Sequence, residues 1–362
     1  MNKKIGILTF HNAVNYGAVL QAYALEKYIE KKGIDSELID YENPYIYREP
    51  GLKRIWKGKN FLRNIYNTLE YPFWYKRYEK FKSFIHKVCM SKKCNIEDMN
   101  KYSCVIVGSD QVWNLNITHG DFTYFLKDVK NVRKCSYASS FGTIKSDVKY
   151  YDEIRNCLND FEIINIRESS GKNFINNLLP EKHVNLVLDP TFLLTREEWR
   201  EIAVRPSYKG KYVLIYQLAY SKSLIKYAQR LAREKNCKLV TINGNPRQPI
   251  KGKNILNAGP EQWLGLIEDA ECVITNSFHG TVFSIIFQKE FYTELLTTQE
   301  ERNDRVITLL TELELKNRIL CKGLSADTLN EKIDYLLVNQ KLEKLVNFSY
   351  DCLEKVISIY EK

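Results

Sequence analysis

Five short polar clusters hold the residues best suited to chemistry. Asn276-Ser277-Phe278-His279-Gly280 follows the apolar run Cys272 to Thr275. An imidazole titrates near neutrality, so His279 there suits proton transfer or anion binding, with Asn276, Ser277 and Gly280 supplying donors and a close backbone approach. Arg167, followed by Glu168, closes the run Glu162 to Ile166. Its guanidinium suits bidentate recognition of carboxylate or phosphate, and the plain structural alternative is a salt bridge to Glu168 or another acid. Gly108 to Asn114 gathers Ser109, Asp110, Gln111, Trp113 and Asn114. Asp110 in that run suits either a general base or a helix cap. Ser140-Phe141-Gly142 has the same small, polar character. Asn15-Tyr16-Gly17 precedes a helical pattern whose first N–H groups can receive an anion; an ordinary connection with a permissive glycine reads the same way. His86, His119 and His183 lack such settings and read as surface or packing residues.

These clusters need elements to hold them. Strand-sized apolar runs alternate with helical periodicity, the pattern of parallel sheets built from βαβ units. Residues 4–10 read as a buried strand, 18–32 as an amphipathic helix stopped by Gly33, and 36–41 as the next strand. Further strands are expected at 104–107, 134–138, 162–166 and 185–188. A second set follows: strands 212–216, 238–242 and 272–275, with helices 224–234, 260–269 and 280–287. The organisation expected is therefore α/β with two Rossmann-like domains: residues 1–190, residues 191–326, and closing helices over 327–362. The stretch 189–209, with Pro190 and Pro206, reads as the hinge. In open sheets of this kind ligands bind beyond the carboxyl ends of the strands, where the five clusters fall.

Composition narrows the functional classes. The chain has 362 residues, 44% hydrophobic and 27% charged, as expected of a globular protein of two domains. No apolar run approaches the roughly 20 residues of a spanning helix, and Lys3 and Lys4 precede only a strand-sized run with no cleavage pattern, so a cytoplasmic location is expected. Nine cysteines without a CxxC pair read as buried thiols, Cys104, Cys237 and Cys272 among them, rather than a zinc site or disulfide frame. No GxGxxG or GxxxxGK[ST] follows the first strand, and HExxH and EF-hand patterns are missing from the sequence. Neither a cofactor nor a metal is expected.

The net charge of +10 is concentrated. Residues 48–87 contain eleven Lys or Arg against three Glu, interleaved with aromatics such as Phe73, Trp74 and Tyr75. This basic, aromatic insertion reads either as a solvated helix packed on the first domain or as a contact with an anionic membrane face through Lys53, Arg54, Lys57 and Lys59. Nucleic acid is not expected as a partner, since no recognition motif accompanies the charge.

Taken in order, Asn15-Tyr16-Gly17-Ala18, Gly108-Ser109-Asp110-Gln111-Val112-Trp113-Asn114, Ser140-Phe141-Gly142, Arg167-Glu168, Asp189-Pro190-Thr191-Phe192 and Asn276 to Gly280 resemble the polysaccharide pyruvyl transferase family over roughly residues 5–320. Gly259 to Leu264 and Arg302-Asn303-Asp304-Arg305 look similar to it too. The resemblance implies a GT-B-like pair of domains facing a cleft. It also implies transfer of the pyruvyl group of phosphoenolpyruvate onto hydroxyls of a sugar, forming a ketal and releasing phosphate. The cleft residues it maps are Arg167 and His279; Arg305 extends the anion site by inference. A doubly anionic donor needs two anchors, for which Arg167, Arg305 and the helix starts after Gly17 and Gly280 are the candidates. His279 then suits the acid or phosphate partner and Asp110 the activation of a hydroxyl. The acceptor expected is a cell-surface polysaccharide or a lipid-linked precursor. Two rivals are a glycosyltransferase using a nucleotide sugar and a non-catalytic sugar-binding homologue.

Overall fold

The computed structural model describes residues 4–47, 61–88, 90–142, 148–208, 210–242, 250–296, 303–320 and 331–361. The elements run in chain order as follows: β1 (Ile5–Leu8), α1 (Tyr16–Lys31), β2 (Ser36–Asp40), α2 (Phe61–Ile85), β3 (Met90–Lys93), β4 (Cys104–Val107), α3 (Leu115–Thr118), β5 (Arg133–Ser136), α4 (Tyr151–Asn159), β6 (Phe161–Ile166), α5 (Ser169–Leu178) and β7 (Val184–Leu186). There follow α6 (Arg196–Ile202), β8 (Tyr212–Tyr216), α7 (Lys222–Glu234), β9 (Lys238–Ile242), β10 (Lys253–Ile255), α8 (Pro260–Glu268), β11 (Cys272–Thr275), α9 (Phe278–Ile286), β12 (Glu290–Thr293), α10 (Asp304–Glu312) and α11 (Tyr335–Glu361).

Two parallel sheets result. The first orders its strands β3-β2-β1-β4-β5-β6-β7 and the second β10-β9-β8-β11-β12. Strand order reverses between β1 and β4 in one sheet and between β8 and β11 in the other, with Ile5 paired to Cys104 and Cys272 to Val213. β1, β4, β8 and β11 are buried along their whole length, which is why each reads as an unbroken apolar run rather than an alternating one. Cys104 and Cys272 lie in this buried ladder, and burial pushes the Cys272 thiol up to about 12. Among the described residues no helix is long and apolar enough to cross a membrane.

Burial adds detail to three segments. In the stretch between the two sheets Asp189, Pro190, Thr191, Phe192 and Trp199 are buried, and the Trp199 indole donates to Thr191 O at 2.9 Å. The closing stretch holds one long helix, α11. Its Cys352, Leu353, Val356 and Ile357 pack with Ile5, Ile7 and Ile106 of the first sheet, while Val338 joins the core around the second. Residues 321–330 lie outside the described set.

The basic insertion also differs from a helix resting on one domain. Phe81 and Phe84 of α2 are buried beside Tyr16 and Leu20 of α1. Lys80 Nζ crosses to Asn257 O at 2.9 Å and Gln262 Oε1 at 2.7 Å, and Lys87 pairs with Glu261, all on the side of the second sheet. The Arg77 guanidinium stacks over Tyr16 at 5.2 Å. Part of the positive charge thus clamps the two halves together. Phe73, Trp74, Tyr75 and Lys76 are exposed; Lys53, Arg54, Lys57 and Lys59 lie outside the described residues.

Candidate active site

The segments after β4, β6, β7 and β11 and the start of α10 bring five ionisable side chains together: Asp110, Arg167, Asp189, His279 and Arg305. Asp189 is 1% exposed. Its Oδ1 accepts from Thr191 N at 3.1 Å and Thr191 Oγ1 at 2.8 Å. Its Oδ2 accepts from Arg167 Nη1 and from Ser109 Oγ at 3.3 Å, with His279 Nε2 at 3.4 Å. Burial alone would raise this carboxyl, but the neighbouring charges of His279 and Arg167 and the Thr191 amide hold it well below the usual range. A buried carboxylate is tolerable only with such partners. In the sequence Asp189 stood out only as the start of the hinge stretch and as part of the Asp189-Pro190-Thr191-Phe192 resemblance, because nothing in that run reveals what its carboxylate faces.

Arg167 is the second member. Nη2 donates to Asp110 Oδ1 at 3.3 Å while Nη1 holds Asp189, and its guanidinium lies 4.8 Å from the Phe278 ring centre. Arg305, from α10, flanks the same ring at 5.4 Å and places Nη1 3.9 Å from Asp110 Oδ1. Phe278 therefore packs against both cations, a role its apolar type did not advertise. The expectation that Arg167 waits as an open anion anchor needs correction. Both Nη atoms are engaged and the side chain is 1% exposed, so Arg167 positions Asp110 and Asp189.

Glu168 faces the other way. Its Oε1 accepts from Phe141 N at 2.8 Å and Gly142 N at 3.5 Å, and its Oε2 is buried without a hydrogen bond. Burial pushes this carboxyl up, against the pull of Arg167, Arg305, Ser140 and the Phe141 amide. The direct pair with Arg167, one alternative the sequence left open, is replaced by Arg167–Asp189. Ser140 Oγ accepts from Gly142 N at 3.2 Å. Gly142 has φ +64°, and a Cβ there would lie 2.1 Å from Gln111 Oε1, so glycine lets this loop close over Gln111.

Asp110, itself at φ 71°, keeps Oδ1 toward the Gln111 amide at 2.9 Å and the two arginines. Gln111 is half-buried beside it. Ser109 donates to Ala138 O at 2.9 Å and its amide to Gln21 Oε1 at 3.0 Å. Asn114 caps the short α3, accepting from Asn116 N and Ile117 N, so it holds the loop. Trp113 and Phe141 do not reach the site. Both are buried in the first-sheet core, and the indole donates to Tyr124 O at 2.9 Å.

The two helix starts expected to receive an anion are already capped. α1 begins at Tyr16, two residues earlier than the periodicity suggested, and Asn15 Oδ1 accepts from Gly17 N at 3.0 Å and Ala18 N at 3.5 Å. α9 begins at Phe278, and Ser277 Oγ takes the Gly280 amide at 3.3 Å. Tyr16 is a packing residue: it stacks on Trp263 at 5.1 Å and donates to Ala258 O at 2.8 Å, joining α1 to the second sheet's side. Asn276 ties the loops after β8 and β11 together, accepting from Leu218 N and donating to Ala219 O. Gly17 has a role that sequence did not show. A Cβ there would sit 1.9 Å from His279 Nδ1, so its bare backbone makes room for the imidazole.

A cavity of about 200 Å³ shares Arg167, Asp189, Phe278 and Arg305 with this cluster. Its other walls, including Leu186, Phe192, Leu309, Leu345 and Phe348, are mostly apolar, and neither Asp110 nor His279 lines it.

Two parallel α/β sheets with ionisable groups gathered at their strand ends define a GT-B-type architecture. Solved structures agree on the fold: an alpha-glucosyltransferase in complex with UDP and DNA (TM-score 0.50, 9% identity, 100% of both chains covered), a UDP-N-acetylglucosamine 2-epimerase from Listeria monocytogenes (0.51, 10%, 96% and 91%) and UGT89C1 from Arabidopsis thaliana (0.51, 9%, 99% and 100%) are similar to this chain. No curated protein matches it. The polysaccharide pyruvyl transferase model matches residues 15–293, and the chain belongs to that family. It is a transferase of polysaccharide modification.

Proposed function

We propose that the protein transfers the pyruvyl group of phosphoenolpyruvate to two hydroxyls of a sugar. The observation that carries the reading is the meeting of His279 and Arg305, contributed from the second sheet's side, with Asp110 and Arg167 from the first. Both halves contribute to the set, which suits the positioning of two substrates.

The chemistry then divides among residues of this chain. His279 and Arg305 meet the phosphate and carboxylate of the donor, while Arg167, fixed by Asp189, steers Asp110 toward the acceptor. A proton adds to the methylene carbon of phosphoenolpyruvate, which becomes the methyl group, and positive charge develops at the central carbon. One sugar hydroxyl adds there and loses its proton to a base, Asp110. The C–O bond to phosphate breaks, the leaving group carries off its electron pair, and a second hydroxyl closes the ketal. The two hydroxyl protons balance the one gained by carbon and the one carried away by phosphate. The exposed Phe73, Trp74, Tyr75 and Lys76 of α2 support a lipid-linked acceptor presented at an anionic surface.

The test is acceptor-dependent phosphate release from phosphoenolpyruvate across a panel of lipid-linked and nucleotide-linked sugars. Release is expected with at least one acceptor and to fall at least about 100-fold in His279→Ala. A nucleotide sugar that protects the protein against thermal unfolding where phosphoenolpyruvate does not would favour the glycosyltransferase reading instead.

A further inference from the structure

A second cavity, of about 240 Å³, opens at the carboxyl ends of β1 and β2 and is lined by His11 to Val14, the loop that leads to Gly17. We infer that it is a sugar subsite, holding the unit of the acceptor adjacent to the one that reacts. The inference rests on the pyruvyl-transfer reading only for what the neighbouring unit does, since the cavity's own chemistry is separate.

One wall is aromatic: Tyr78, buried in α2, and Tyr47, whose hydroxyls lie 3.3 Å apart. The other carries His11, Asn12, Asp40 and Glu42. His11 is 1% exposed, with Nδ1 at 3.2 Å from Thr9 O and Nε2 at 3.0 Å from Asp40 Oδ1. Asn12 Nδ2 donates to the same Oδ1 at 3.1 Å. The Asp40 carboxyl is thereby held below its ordinary range, chiefly by the His11 hydrogen bond, and both clamps fall on one oxygen. Asp40 itself lines the cavity. Glu42, half-buried, is steadied by Lys93 at 2.6 Å.

A flat apolar face opposite fixed, charged hydrogen-bond acceptors suits a polyhydroxylated ring, whose C–H face packs on an aromatic while its hydroxyls donate to carboxylate oxygens. A few converging polar groups in a concave, partly aromatic site is the ordinary form of a small-ligand pocket. The geometry also relates it to the reactive centre. Val14 lines the cavity and Gly17 touches His279, and three residues of chain span at most about 11 Å. That upper limit lies within the reach of one or two sugar rings, so a ring in the cavity can carry its neighbour toward His279.

The test uses the full chain and a panel of methyl hexopyranosides (gluco, galacto, manno and N-acetylgluco), observed by saturation-transfer NMR. At least one is expected to bind the wild type and His279→Ala alike, and its dissociation constant is expected to rise about tenfold in Tyr78→Ala and in Glu42→Gln. Glu42 is only partly buried and Gln keeps its size, so Glu42→Gln tests the site even if Tyr78→Ala misfolds. Absence of binding by every sugar, or binding that survives both substitutions, overturns the subsite. Sugar binding without phosphate release from phosphoenolpyruvate would overturn the donor reading and leave the subsite standing. Phosphate release whose acceptor KM ignores Glu42→Gln would do the reverse.

Discussion

At the residue scale, Asp189 organises the site. It accepts from Thr191, Ser109 and Arg167 and lies beside His279, so losing its charge leaves Arg167 buried with one carboxylate fewer. Asp189→Asn is expected to lower stability at pH 7 by about 3–5 kcal/mol, the usual consequence of breaking a buried pair. The pH dependence has a definite sign. The folded carboxyl lies below its unfolded value, so its stabilisation is complete above about pH 4 and is lost as pH falls below that. Urea titrations at stepped pH should show an acid limb below pH 4 that is shallower in the variant. An unchanged limb would assign the acid sensitivity to other carboxyls. The types of Arg167, Asp110 and His279 were visible in the sequence as chemistry-bearing, but the partnership through Asp189 was not, because it joins Asp189 to Arg167, Ser109 and His279 across 22, 80 and 90 positions.

Elements decide how those residues meet. α1 and α9 belong to different sheets, and they touch where Gly17 leaves room for the His279 ring. Gly17→Ala would drive its Cβ into Nδ1. The chain should still fold, since a side-chain rotation or a small helix shift can relieve the clash, but the imidazole must move. Because a misplacement of about 1 Å near the chemistry costs on the order of 100-fold, kcat/KM should fall by about that factor while the far-ultraviolet circular dichroism is retained. Turnover equal to wild type would show that the His279 position is not critical. The strands β1, β4, β6, β8 and β11 were legible as buried apolar runs, and α8 was bounded well. Less legible were the starts of α1 and α9: Asn15 and Ser277 act as caps, so each helix begins before its apolar stripe does. β3 and β10 are short edge strands, too brief and polar to stand out.

Across the whole molecule, the two sheets share structure that no single segment announces. One apolar core runs from Tyr16, Leu20 and Phe84 through Trp199 to Trp263, Phe283 and Leu310. α11 returns from the second sheet's side to cover the first, burying Leu353 completely. Leu353→Ala is therefore expected to cost about 2–5 kcal/mol. It should lower the midpoint of a single unfolding transition seen together by tryptophan fluorescence and circular dichroism. Two separated transitions would mean that the halves unfold independently.

The sequence by itself determined the alternation of buried strands and amphipathic helices, the strand-end placement of the polar clusters and the family resemblance. Each is local, set by periodicity and by residue types a few positions apart. Only the tertiary structure decided that Arg167 is a braced positioning cation, that Trp113, Phe141 and Tyr16 pack rather than bind, that the anion-ready helix starts are capped, and that the basic insertion clamps two sheets. Those outcomes depend on which side chains are driven into contact across long stretches of chain. Burial makes every buried charge and donor find a partner, and the partner's identity is a property of the packed arrangement.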